Sequence, residues 1–190
     1  MKPIFIGLIF MSINFHLDIN AARIGLIPDF VGYFFMLQGL NELLPHSGHF
    51  TKLMPFVKGM LIYSAVLYAA DLFGLWRWNF YFGTGAHGII VLVGIVTTVL
   101  TLSVLHRLLQ GVREMETNLS VQLNSVQLGT AWKVMAICAA VSYVILLGSP
   151  VISALALLIG FVGRVLYIVA FWQAWKLFDA RPVNTDDYAI

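Results

Sequence analysis

Six stretches of this chain are each apolar for long enough to cross a bilayer, and only short polar connections separate most of them. A hydrocarbon layer about 30 Å thick takes about 20 mostly apolar residues in helical form. Inside that layer every backbone N–H and C=O must be paired, which a single non-repetitive segment achieves as a helix. The stretches run over 3–19, 23–44, 55–75, 86–106, 130–147 and 151–176. The first is the most polar, because Asn14, His16 and Asp18 fall in its last turns and Asn20 follows. Lys2 before it and Asn20-Ala21-Ala22 after it also outline a cleavable signal peptide, but it is read here as a span. The expected fold is all-α: residues 1–190 form one integral membrane domain, a six-helix bundle.

Composition excludes most alternatives. Charged residues make up 11% of the 190 and hydrophobic residues 60%, with a mean hydropathy of +0.88. A soluble domain carries about a quarter charged residues, so this chain lacks the polar groups to cover a water-facing surface. A soluble enzyme, a nucleic-acid binder and a disordered linker are therefore excluded. Cys138 is the single cysteine, so neither an intrachain disulfide nor a cysteine zinc site is available.

Positive charge orients such a bundle. Lys2, Lys52, Lys58, Arg107, Arg113, Lys133, Lys176 and Arg181 fall at one end, Arg23 and Arg77 at the other, and Arg164 lies within the last stretch. This places both termini in the cytoplasm and makes the expected location the cell membrane, multi-pass. Tryptophan favours the membrane–water boundary; Trp76 and Trp78 fall at the outer boundary, and Trp132, Trp172 and Trp175 at the inner one. The outer connections are then 16–23, 74–85 and the Ser149-Pro150 turn; the inner ones are 45–54 and the longer 107–129. Leu105, Leu108, Val112, Met115, Leu119 and Val126 follow a 3-4 spacing through that last segment, which predicts an amphipathic helix. It is read as an interfacial helix or a continuation of the fourth span, with a docking surface for a membrane-protein partner, over 105–126, as the alternative.

Small residues allow close helix approach in lipid. Gly25, Gly32 and Gly39 recur along the second stretch, and Ser153, Ala156, Gly160 and Gly163 along the sixth, which predicts that these two helices pack together.

At Ile27-Pro28-Asp29-Phe30-Val31-Gly32-Tyr33, continuing to Gly39-Leu40 and then Ser47, Phe50, Lys52, Pro55 and Phe56, the sequence resembles a family of small multi-pass membrane proteins of Gram-positive-type bacteria. Their second helix opens with a Leu-Pro-Asp/Asn-Phe-Ile-Gly-Tyr pattern, and the resemblance covers about residues 14–56. It implies a bacterial membrane protein and brings no catalytic residues with it. The Asp/Asn alternation at the position of Asp29 implies that ionisation is not required there.

Charge within a span costs about 2.5–3.5 kcal/mol on insertion scales, so each instance needs a reason. Arg164 lies deepest, on the face of Gly160; it either locks helices by pairing with a carboxylate or contacts an anion through its fixed fork of donors. Asp29 follows Pro28 at a helix start, where a carboxylate meets unpaired N–H groups and the positive end of the dipole. Asp71 stands one turn before Trp76-Arg77 and has Arg77 as a local partner. With His16, His87 and the deeper Tyr33, these residues outline a polar vestibule open outward above Arg164. The candidate ligand-binding residues are Arg164, Asp29, Asp71, Tyr33, His16 and His87.

No catalytic or metal-binding residues and no cofactor are assigned. His16 and His87 lack a second good ligand at helical spacing, there is no nucleophile elbow, and Gly83-Thr84-Gly85 has no lysine beside it. His46, His49 and His106 read as solvated loop or boundary residues. The expected function is binding of a small molecule or lipid head group in the vestibule, as a transporter or its substrate-capturing subunit. A non-catalytic accessory subunit of another membrane protein and a membrane-embedded lipid-modifying enzyme are the alternatives. The expected partners are membrane lipids and a small anionic ligand, with no nucleic acid.

Overall fold

The computed structural model describes residues 1–12, 16–19, 22–25, 28–72, 84–146 and 153–180, with side chains at 1–12, 28–70, 72, 92–143 and 158–180. Among the described residues the chain forms a bundle of six helices: α1 (Lys2–Ser12), α2 (Asp29–Leu43), α3 (Gly48–Leu72), α4 (Thr84–Asn118), α5 (Ser125–Leu146) and α6 (Ser153–Asp179). Between α1 and α2 lies a short antiparallel hairpin, β1 (His16–Ile19) and β2 (Ala22–Gly25), in which His16 pairs with Gly25 and Asp18 with Arg23. The principal neighbours of each helix are the ones before and after it in sequence, and α6 packs back on α1 to close the ring.

Among the described residues three segments, Gly48–Ala70, Leu92–Asn118 and Leu158–Asp179, are long and apolar enough to cross a membrane. Large apolar side chains also cover much of the outside, among them Ile62, Val66, Val99, Ile137 and Phe161. A water-soluble chain rarely exposes apolar surface on this scale; this is a helical membrane protein.

The helix limits differ from the sequence reading in ways that have local causes. The first span was expected over 3–19, but α1 stops at Ser12. At 1.5 Å per residue its 11 residues reach about 16 Å, half a hydrocarbon layer, and His16 to Ile19 pair as a strand instead of continuing the helix. The second was expected from Arg23, but Arg23 lies in β2 and α2 begins at Asp29. Pro28 is extended, with φ −74° and ψ 133°, and sits just outside α2 rather than at its first helical position. Pro55, expected near the start of the third span, lies two turns inside α3.

The early start of α3 has a visible anchor. Leu44–His46 form a 3-10 turn, and the His49 N–H then donates to Ser47 Oγ at 3.2 Å and to Glu114 Oε2 at 3.1 Å. The Ser47 hydroxyl itself donates to Glu114 Oε2. A carboxylate from α4 thus sits on the positive end of α3, where unpaired N–H groups favour an anion. Glu114→Gln is therefore expected to lower the thermal midpoint, because it removes the charge facing these N–H groups. Ser47→Ala removes the cap and is expected to cost about 1 kcal/mol. A Glu114→Gln chain as stable as the natural one would rule out the carboxylate cap.

The core occupies the end of the bundle nearest Ser47. Leu8, Tyr33, Met60, Val104, Met135 and Tyr167 mark its upper boundary. Beyond them the described hydrophobic side chains are half-buried or exposed. Leu105, Leu108, Val112 and Met115 are buried within this core, on a helix that runs unbroken to Asn118. Their 3-4 spacing therefore records packing inside the bundle, while Val126, the last of the series, is 77% exposed. The turn to α5 uses positive φ at Ser120 (52°) and Asn124 (61°).

The expected close pairing of the second and sixth helices is corrected. Gly32 and Gly39 of α2 face Gly7, Met11 and Ile4 of α1, whereas Gly160 and Gly163 of α6 face Ser142 and Cys138 of α5. Both glycine series do mark close approaches, but each serves a sequence neighbour.

Candidate functional site

Helix α4 carries a column of hydrogen-bond partners for tyrosines from four other helices. Tyr33 of α2 meets Thr101 at 3.2 Å, Tyr63 of α3 meets Thr97 at 2.9 Å, and Tyr143 of α5 meets Thr98 at 2.7 Å. Tyr167 of α6 donates to the Leu105 carbonyl at 3.1 Å. Thr97 already donates its hydroxyl proton to the Val93 carbonyl at 2.8 Å, so the Tyr63 hydroxyl is the donor of that pair. Each phenol brings a large apolar ring and satisfies its one polar group internally. The resulting belt lies where the buried core ends.

Arg164 stands one turn above Tyr167. On a helix of 3.6 residues per turn it shares a face with Tyr167, Phe171 and Trp175. Tyr167 and Phe171 are fully buried, and Trp175 lies against Phe5 of α1 with ring centroids 5.4 Å apart. That face points inward, and yet Arg164 is exposed. Among the described residues Arg164 forms no ion pair within 4 Å. Arg164, Asp29 and Tyr63 all lie within electrostatic reach of the Tyr33 hydroxyl. Tyr33 is almost fully buried, and Asp29 is half-buried in the first turn of α2.

Of the six residues read from sequence, Arg164 and Asp29 both lie within electrostatic reach of Tyr33. The backbone of His16 lies in β1, that of Asp71 in α3 and that of His87 in α4, but their side chains fall outside the described residues. So do Trp76, Arg77, Trp78 and the Ser149-Pro150 turn. The sequence reading missed Thr97, Thr98 and Thr101. Their positions at i, i+1 and i+4 are a signal for one polar helix face, though nothing in the spacing names the tyrosines as partners.

The histidines at the opposite end are less solvated than expected. His106 stacks on Trp132 with ring centroids 4.6 Å apart, and its Nδ1 is buried without a hydrogen-bond partner. His46 lies against the Phe178 ring at 6.0 Å. Among the described residues no group of three His, Cys, Asp or Glu side chains is placed to hold a metal ion.

No protein-family model matches the chain, and no curated protein or solved structure matches it either.

Proposed function

We propose that the chain crosses the cell membrane with both termini in the cytoplasm and binds a small anionic molecule or lipid head group in a polar vestibule open to the outer side. The carrying observation is Arg164, a cation on the inward face of α6 that is nonetheless exposed, one turn above the buried Tyr167. Arg164 forms no ion pair among the described residues, and its planar fork of N–H donors suits carboxylate or phosphate. The tyrosines that pair with α4 give the space a floor whose hydroxyls are already committed to that helix. Such a floor is rigid, and a rigid floor lowers the ordering cost of binding. Capture of a solute by a transporter or its binding subunit is the activity this arrangement serves.

The orientation and the opening are tested together by Arg164→Cys in a Cys138→Ser background. A membrane-impermeant anionic thiol reagent added to intact cells is expected to label position 164 from outside. Labelling only after the cells are opened, or none at all, would overturn the outward vestibule.

A further inference from the structure

A second polar feature lies at the opposite end of the bundle, on the flank of α4 between α3 and α5. A groove of about 600 Å³ is lined by His49, Lys52, Ser103, His106, Arg107 and Trp132 among others. A smaller one of about 310 Å³ continues it, sharing His49 and Gln110 and adding Arg113 and Thr117. Along α4 the lining positions 99, 103, 106, 110, 113 and 117 advance by three or four residues, so they form one continuous helix face.

Charge along this face is unbalanced. Lys52, Arg107 and Arg113 contribute three cations, and none of them forms an ion pair among the described residues. The lone carboxylate, Glu114, is committed to Ser47 and to the start of α3. The Arg107 guanidinium lies 3.8 Å from the centre of the Phe56 ring. This aromatic platform fixes its position while leaving the N–H edges free to donate. Trp132 donates to the Leu102 carbonyl at 3.0 Å, which ties the groove wall at a boundary-favouring residue.

The groove is also graded along its length. Toward the middle of α4 it runs into Val99, which is 55% exposed, and the exposed Val96 and Leu92 continue the same flank. An apolar track leading to a cationic mouth has the polarity of a phospholipid, whereas a free anion has no use for the track. Basic pockets between helices at the cytoplasmic side bind anionic head groups on this principle.

We infer that this groove is a site for one anionic phospholipid of the cytoplasmic leaflet. Its phosphate lies among Lys52, Arg107 and Arg113, and an acyl chain follows Val99 and Val96. The site is separate from the Arg164 vestibule and rests on the membrane orientation proposed above.

The test uses the full chain in detergent, with native mass spectrometry to compare bound phosphatidylglycerol and phosphatidylcholine of identical acyl chains. About 1 kcal/mol for each Lys or Arg near an anionic lipid surface corresponds to about fivefold in affinity. Lys52→Gln, an exposed change, is expected to reduce the preference for phosphatidylglycerol about fivefold, and Arg107→Gln with Arg113→Gln about twenty-five-fold. Lys133→Gln, an exposed cation outside the groove, is expected to leave the preference unchanged. Loss of the preference in Lys133→Gln to the same degree as in Lys52→Gln would overturn the site in favour of diffuse surface charge. Equal binding of the two lipids to the natural chain would overturn it outright. Displacement of phosphatidylglycerol by millimolar inorganic phosphate would reassign the cations to a free anion and remove the lipid.

Discussion

Gly7→Val is expected to abolish most of the folded protein. A Cβ at Gly7 would stand 2.5 Å from the Gly32 carbonyl oxygen and 3.1 Å from the Met36 backbone nitrogen. The reciprocal atom at Gly32 would stand 2.8 Å from the Gly7 carbonyl oxygen. These are backbone atoms of two helices, so no side chain can rotate away and α1 must move off α2. Close approach is what holds helices together where lipid competes for apolar surface. Moving α1 also disturbs Ile4 and Leu8, which are buried in the core. Overpacking typically costs about 1–3 kcal/mol, and the branched valine puts the change at the upper end. Gly59→Ala is the control, because a Cβ there meets nothing within 4 Å. It is expected to be neutral or to stabilise α3 by up to about 1 kcal/mol through helix propensity. The yield of monodisperse protein and the thermal midpoint report both changes. A Gly7→Val chain as stable as Gly59→Ala would show that α1 and α2 do not pack as described.

Arg164→Gln is expected to leave a folded, extractable bundle that no longer retains its anionic ligand. Glutamine keeps hydrogen-bonding capacity and much of the volume while removing the charge. Because Arg164 is exposed and makes no ion pair among the described residues, its loss is expected to change stability by less than about 1 kcal/mol. Native mass spectrometry of gently extracted protein is expected to show a small anionic adduct on the natural chain and none on the variant. A structural lock predicts the opposite pattern. Removing one side of a buried pair costs about 3–5 kcal/mol, and Arg164→Gln combined with Asp71→Asn or Asp29→Asn would then restore stability. Such a rescue, or a natural chain that carries no adduct, would remove the vestibule as a binding site.

The helical class and the rough placing of the helices are readable from the sequence because they depend on local quantities. Apolar length states that a segment is a membrane helix, and scarcity of charge states that the outside is not water-facing. The polar cluster in residues 14–20 likewise announces that the first segment is weak, and α1 indeed ends at Ser12. Candidate site residues were legible for a related reason: a charge such as Arg164 in an apolar run is conspicuous wherever the run ends up.

Pairing is a different kind of information. The glycines of the second and sixth stretches state that each helix has a face permitting close approach, but such a face fits any partner of matching shape. Only the tertiary structure decided that Gly32 and Gly39 serve α1 while Gly160 and Gly163 serve α5. In the same way the 3-4 series at Leu105, Leu108, Val112 and Met115 fits a docking surface or a buried seam equally well. Phe50 of α3, lying over Gly111, settles it as a seam. The threonine column on α4 was invisible as a site, since Thr97, Thr98 and Thr101 acquire meaning only from tyrosines 34 to 68 positions away. Burial length is a one-helix property set by solvent, whereas the choice of neighbour depends on the shapes of two surfaces at once.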